Sequence, residues 1–315
     1  MNAEPFHHEA LMYSGWPQFL AGTVPFIREG VDAGEPVLVV ESRDKIDALR
    51  QALGADAAER VMFADMGEVG ANPARIIPAW REFVDSHGRG GKQLRGIGEP
   101  IWNGRSADEL AECQRHESLL NVAFAGGQAW SLLCPYDTEH LDAPVIAEAR
   151  RSHQYVREGG ASQESGDYRG LEACGAPFGS PLGEPPPGAR RMTFDRDRLL
   201  NLRREVMQFA TSARLGPADA TRLVTAVNEI ATNSILHGGG KGTLRLWREG
   251  DTLVAEVRDS GSYRGALADR VRPSESIRDG RGLWLANQLC DLVQIRTLPG
   301  ATVVRAHVRA GPSAK

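Results

Sequence analysis

Between Val156 and Arg190 the chain turns to Gly, Ser, Pro and Glu and ends in Gly183-Glu184-Pro185-Pro186-Pro187-Gly188. Such a stretch has too few large apolar residues to pack, and its prolines favour an extended, semi-rigid spacer. One continuous core across it is excluded, so the expected organisation is a domain at 1–155, a linker at 156–190 and a second domain at 191–315. With 315 residues in all, each half is long enough to bury a core of its own.

A hydrophobic content of 41% and a charged content of 25% are those of a soluble globular protein. The net charge of -4 gives no strong attraction to nucleic acid or to an anionic membrane, and direct nucleic-acid contact is not expected. The start, Met1-Asn2-Ala3-Glu4-Pro5-Phe6-His7-His8, lacks the basic and apolar regions of a secretory signal. No apolar run is long enough to span a bilayer. Cys113, Cys134, Cys174 and Cys290 form no Cys-x-x-Cys pair, which fits a reducing cytoplasm.

In the first half, Trp16 to Gly30 is amphipathic and precedes the β-branched run Pro36-Val37-Leu38-Val39-Val40. Helical spacing over Asp44–Leu53, a strand at Val61–Ala64, helices at Ala74–Ser86 and Ala107–Asn121 and a strand at Ala129–Cys134 continue the alternation. This order predicts an α/β domain with a parallel central sheet. The nearest phosphate loop, Gly88-Arg89-Gly90-Gly91-Lys92-Gln93, fails the Gly-x4-Gly-Lys-Ser/Thr spacing, because Ser86 stands where the first Gly belongs.

His8, Glu99, Cys134 and His153 are each candidate ligands for a metal or small molecule, though their spacings match no metal motif and each taken alone reads sooner as a satisfied buried polar group or a surface residue. Four segments carry a resemblance over about residues 7–155: His8-Glu9-Ala10-Leu11-Met12-Tyr13, Gly98-Glu99-Pro100-Ile101-Trp102, Glu117-Ser118-Leu119-Leu120-Asn121 and Leu133-Cys134-Pro135-Tyr136-Asp137. They resemble the MEDS sensory domain of methanogens and methylotrophs. The resemblance implies a RecA-like parallel sheet without a P-loop, acting as a ligand sensor. With it, His8, Glu99, Trp102, Cys134 and His153 become the expected sensor-ligand residues.

In the second half, Asp195–Arg214 has helical spacing, and Pro217 is placed as the first residue of a further helix that Gly238-Gly239-Gly240 stops. Residues four apart advance about 400°, so Glu229, Asn233 and His237 stack on one helix face within roughly 80° of arc. Alone, they read as a polar surface stripe. A carboxylate there can accept a proton, and a carboxamide oxygen suits Mg²⁺. Alternating segments at Thr243–Trp247 and Leu253–Asp259 predict a hairpin through Glu249-Gly250-Asp251. Asp259 then ends a strand, and Ser260-Gly261 lets the backbone turn so that its carboxylate can receive an adenine amino group. A polar stretch at 262–279 closes at Gly280-Arg281-Gly282, where amides at a helix start suit phosphate. Strands at Leu292–Thr297 and Thr302–Arg309 complete the domain.

Helical Glu-x3-Asn, strand-end Asp-x-Gly, a polar lid and Gly280-Arg281-Gly282-Leu283 together resemble the GHKL nucleotide-binding fold over about residues 192–310. That implies an α+β ATPase sandwich. Within the superfamily, Gly280 to Asp291 looks most like the anti-sigma-factor serine kinases of partner-switching systems. Carried over, the resemblance makes Glu229 the general base on a protein serine and Asn233 the holder of Mg²⁺ on ATP. Asp259, Gly261 and Thr302 would read adenine, and Gly280, Arg281 and Gly282 would contact phosphate. The implied partners are a sigma factor and an anti-anti-sigma (STAS) protein, with a homodimer as the assembly. The chain departs from the superfamily after Asp259, because its next glycine, Gly265, is shifted from the usual Asp-x-Gly-x-Gly place. A non-catalytic switch is the alternative reading. A histidine kinase comes third, since a Pro-rich linker stands where its phosphorylated hairpin belongs.

Overall fold

The protein, described from a computed structural model that covers residues 6–170, 179–263, 265, 267–271 and 281–310, divides into two compact units, Met1–Phe178 and Gly179–Lys315. In the first unit, β1 (Phe6–Tyr13), α1 (Gly15–Ala33), β2 (Val37–Glu41), α2 (Arg43–Leu53), the single turn α3 (Ala55–Ala58) and β3 (Val61–Asp65) open the alternation. It continues through the single turn α4 (Met66–Val69), α5 (Ile76–His87), β4 (Leu94–Gly98), α6 (Ala107–Ala123), β5 (Trp130–Asp137) and α7 (Ala143–Ser152). The hairpin β6 (Tyr155–Glu158) and β7 (Ala161–Glu164) ends it.

The sheet order is β3-β2-β4-β5-β1-β6-β7, with every pair parallel except β6–β7. The apolar run of β2 lies inside this sheet, which is why it shows no polar alternation. Leu11, Tyr13, Val37, Val39 and Leu133 share one core with Phe19 and Ile27 of α1. In register, Ala10 of β1 faces Cys134 of β5, so even-numbered residues of both strands project to the opposite face. α6 begins in a capping box: Ser106 Oγ accepts from Glu109 N, and Glu109 Oε2 accepts from Ser106 N at 2.9 Å.

Where a featureless spacer was expected from residue 156, two strands add to the sheet. Val156 is buried, and Arg157 Nη2 donates to Glu9 Oε2 at 2.9 Å. A backbone ladder and two ion pairs, Arg157–Glu9 and Arg150–Glu158, hold this polar segment, and neither kind of contact leaves a mark in hydrophobic composition.

The second unit comprises β8 (Arg190–Asp195), α8 (Leu199–Ser212), α9 (Pro217–His237), β9 (Lys241–Glu249), β10 (Thr252–Asp259), α10 (Arg281–Leu289), β11 (Leu292–Leu298) and β12 (Ala301–Arg309). The strands form an antiparallel sheet in the order β11-β12-β10-β9-β8. Leu253, Ala255 and Val257 alternate along β10 and face Val308, Ala306 and Val304 of β12. This face packs on Leu202 and Val206 of α8, on Leu223, Val227 and Ile230 of α9, and on Ala286 of α10. Such spacing on α9 is an amphipathic stripe of helical period.

The other sheet face buries charge. Arg305 donates through Nη2 to Glu256 Oε2 at 2.6 Å and to Gly183 O at 2.6 Å, and its guanidinium lies 5.0 Å from the Trp247 ring centroid. The proline-rich segment is therefore fastened to the sheet at Gly183, because a buried guanidinium needs more acceptors than one carboxylate supplies. Arg305→Ala, which leaves buried Glu256 only the longer contact to Arg245 at 3.8 Å, is expected to destabilise this unit by up to about 3–5 kcal/mol in urea unfolding, and adding Glu256→Gln should restore part of that loss.

Candidate functional site

α9 carries Glu229, Asn233 and His237 on successive turns of its half-exposed face, while Ser234, on the buried face, points at the end of β10. Ser234 Oγ donates to Asp259 Oδ2 at 2.5 Å, and Gly261 N donates to Asp259 Oδ1 at 2.8 Å. Each carboxylate oxygen thus accepts one internal hydrogen bond and keeps a lone pair for a ligand. A Cβ on Gly261 would lie 2.7 Å from Gly238 Cα and 2.8 Å from His237 O, so the strand end approaches the helix end only without a side chain.

Thr302 stands directly opposite Asp259 in the β10–β12 pairing. Its hydroxyl donates to Gly261 O at 3.0 Å and accepts from Tyr263 N at 3.2 Å, tying the turn after β10 to β12. Asn233, Asp259, Gly261, Thr302, Tyr263 and Leu283 line a cavity of about 320 Å³ with Ile230 and Val304, a mixed apolar and polar lining that suits a flat heteroaromatic base.

A Cβ on Gly282 would come within 2.8 Å of Asn233 Nδ2, so the first turn of α10 rests on the Asn233 carboxamide. This places backbone amides of the α10 start beside a hard oxygen donor, an arrangement suited to a phosphate–Mg²⁺ pair. Arg281 is exposed at the first position of α10. Gly280 lies outside the described residues. Glu229 is half-buried with Asn228 Nδ2 donating to it at 3.4 Å, and it sits one turn from the cavity without lining it.

Sequence reasoning passed over Ser234, Tyr263, Asp269 and Asn287. Tyr263 Oη donates to Asp269 Oδ1 at 2.9 Å, and Asn287 Nδ2 donates to Asp269 O at 3.0 Å. Part of the stretch read as a polar loop is therefore pinned to α10, with Asp269 and Arg270 buried. The available signal was Asn287, an amide that follows the apolar run Leu283-Trp284-Leu285-Ala286 on α10.

In the first unit the expected sensor residues separate into groups. Glu99 accepts from Tyr13 Oη at 3.0 Å and pairs with Lys45, whose Nζ also donates to Tyr13 Oη at 2.6 Å. Burial raises the Glu99 carboxyl against the pull of Lys45. Burial and the Glu99 charge raise that of Glu41 well above its ordinary value. These groups sit at the carboxyl ends of parallel strands, where open α/β sheets bind ligands. The Trp102 ring stacks under the Arg105 guanidinium at 3.7 Å.

His8, Cys134 and His153 converge elsewhere, beneath α6 and α7, and are joined by Glu117, which sequence spacing did not single out. Burial and the neighbouring His153 lower His8 to about 4, so its imidazole is neutral near pH 7.

Among the described residues, no helix is long and apolar enough to cross a membrane. Residues 7–154 match the family model described as "MEthanogen/methylotroph, DcmR Sensory domain" (MEDS), and residues 192–308 match that of the histidine kinase-like ATPase domain. No curated protein matches the chain. Similar solved structures include the RsbU and RsbW domains of Rv1364c from Mycobacterium tuberculosis, at 19% identity over 41% of this chain and 34% of that one, TM-score 0.32. The SiaB–SiaC complex from Pseudomonas aeruginosa matches at 12% identity over 37% and 88%, TM-score 0.30. The histidine kinase AdeS from Acinetobacter baumannii matches at 13% over 39% and 68%, TM-score 0.25. This chain spans about a third of the length of the Mycobacterium chain. The sequence thus joins an MEDS sensory domain at its N-terminus to a histidine kinase-like ATPase domain at its C-terminus.

Proposed function

We propose that the protein is an anti-sigma regulator whose C-terminal domain is an ATP-dependent protein serine kinase, sequestering a sigma factor and phosphorylating an anti-anti-sigma (STAS) protein under control of the N-terminal sensor. The observation that carries this reading is the alignment on α9: Glu229 stands one turn before Asn233, and Asn233 lies against the start of α10 and lines the cavity that Asp259 enters. ATP supplies the phosphoryl group when bound. Asn233 would hold its Mg²⁺, Asp259 and Gly261 with Thr302 would orient the adenine, and the start of α10 with Arg281 would meet phosphate. Glu229, held away from the base pocket, would take the proton of the incoming serine hydroxyl.

A second reading, a non-catalytic partner switch with ATP structural or absent, is favoured by one observation: Glu229 does not line the cavity. The two readings part on turnover. Titration of the full chain with ATP and Mg²⁺ is expected to show saturable binding that Asn233→Ala abolishes, and a wild-type chain that binds no ATP would sink the kinase reading. Glu229→Gln should bind ATP normally yet lose phosphotransfer to the STAS substrate by about 10²–10⁴-fold, as removal of a general base does. Equal phosphotransfer by both proteins would leave Glu229 without its role. Ser234→Ala removes the donor that fixes Asp259, and calorimetry should show ATP affinity lowered by about tenfold or more.

A further inference from the structure

His8 from β1, Glu117 from α6, Cys134 from β5 and His153 at the end of α7 meet in the first unit, each at most 1% exposed. One ligand atom from each lies within 4.8 Å of all the others. His8 Nε2 and His153 Nε2 are both 3.3 Å from Glu117 Oε2, and His8 Nε2 is 3.4 Å from Cys134 Sγ. An ion bound tetrahedrally, with bonds of about 2.0–2.1 Å to nitrogen or oxygen and about 2.3 Å to sulfur, separates its ligand atoms by about 3.3–3.6 Å. Three of the six separations already have that spacing, and the other three lie within 4.8 Å.

The outer contacts fix which ring nitrogens face inward. Asn121 Nδ2 donates to Ser152 O at 2.7 Å, which turns its Oδ1 toward His8 Nδ1 at 3.0 Å. His153 Nδ1 lies 2.8 Å from Ala149 O. Asn121 Oδ1 and Ala149 O only accept, and Ser152 Oγ, 3.2 Å from His153 Nδ1, spends its own proton on Glu148 O, so each Nδ1 carries a proton and each Nε2 is turned to the centre. Among the described residues Glu117 Oε1 has no hydrogen-bond partner, and Glu117 Oε2 meets only the two Nε2 atoms at 3.3 Å, too bent for well-formed hydrogen bonds. Two imidazole Nε2 atoms and a carboxylate oxygen thus face one another away from water, where a cation between them would be held by all three. Metal-bound histidines are held by this same kind of Nδ1–H to carbonyl bond.

We infer that His8, Glu117, Cys134 and His153 form a four-coordinate site for a divalent transition metal, zinc by preference. Two imidazoles, a carboxylate and a thiolate favour such ions over Mg²⁺ and Ca²⁺. Binding releases the Cys134 thiol proton to solvent as the sulfur–metal bond forms. Four protein ligands leave no position for a substrate, so the ion is held as a clamp joining β1, α6, β5 and α7.

The test uses the untagged full chain, stripped with chelator and titrated with Co²⁺. A single equivalent is expected to give intense tetrahedral d–d absorption with a thiolate-to-cobalt charge-transfer band, both erased by Zn²⁺. Cys134→Ser should lose the charge-transfer band, whereas Cys113→Ser, which alters a buried thiol outside the cluster, should keep it. Asn121→Ala, which removes the support behind His8 together with the bond to Ser152 O but no ligand atom, should weaken Zn²⁺ binding by about 10–100-fold, with circular dichroism confirming that each variant is folded. A wild-type chain that takes up no cobalt, takes it up with only weak octahedral absorption, or keeps its charge-transfer band in Cys134→Ser overturns the assignment.

Discussion

The nucleotide-binding unit depends on the closeness of two chain ends, the last turn of α9 and the last residue of β10. Asp259 Oδ2 accepts from Ser234 at 2.5 Å, and the backbone after it runs beside Gly238. That approach sets where the carboxylate points. It also brings the turn into reach of the Thr302 hydroxyl, which bonds to both Gly261 and Tyr263. A side chain at Gly261 would push strand from helix, and the cavity between them would lose its wall. On the far side, α10 rests on Asn233 through another missing side chain, at Gly282. A helix face, a strand end and a helix start become one site because small residues stand where the elements cross.

Much of this was legible in the sequence because it rests on periodicity and on local turn chemistry. Pro217 and the glycines after His237 bracket α9, and Gly250 turns the β9–β10 hairpin with a positive φ of 58°. The Glu229-Asn233-His237 stripe follows from helical spacing alone. What the sequence left hidden is interaction between distant positions. Ser234 is an ordinary helix residue until β10 arrives beside it, and Asp269 reads as loop polarity until Asn287 bonds to its carbonyl. The strands β6 and β7 and the docking of Gly183 on Arg305 were hidden too, since composition weighs apolar content and these segments are held by backbone ladders and buried charge.

In the sensory unit, the polar residues that carried the resemblance do not gather in one place. Strand alternation explains the division. His8 and Cys134 project from one face of the sheet, whereas Tyr13 projects from the other and reaches Glu99 at the carboxyl ends of the strands. Two polar centres, one of carboxyl, phenol and ammonium groups and one of imidazole, thiol and carboxylate, thus lie on a single sheet. They differ in chemistry: the first joins an ammonium, a phenol and a carboxyl in one hydrogen-bonded group, and the second turns its ligand atoms to a common point.

The hairpin at the end of the sensory unit closes one side of its sheet. β7 runs antiparallel to an otherwise parallel array, and its four residues, Ala161, Ser162, Gln163 and Glu164, are all exposed. A strand from another molecule that paired there would gain backbone hydrogen bonds but no apolar side chain to cover, and it would meet the charge of Glu164. At this border of the sheet, edge-to-edge pairing with a second molecule is therefore poorly rewarded.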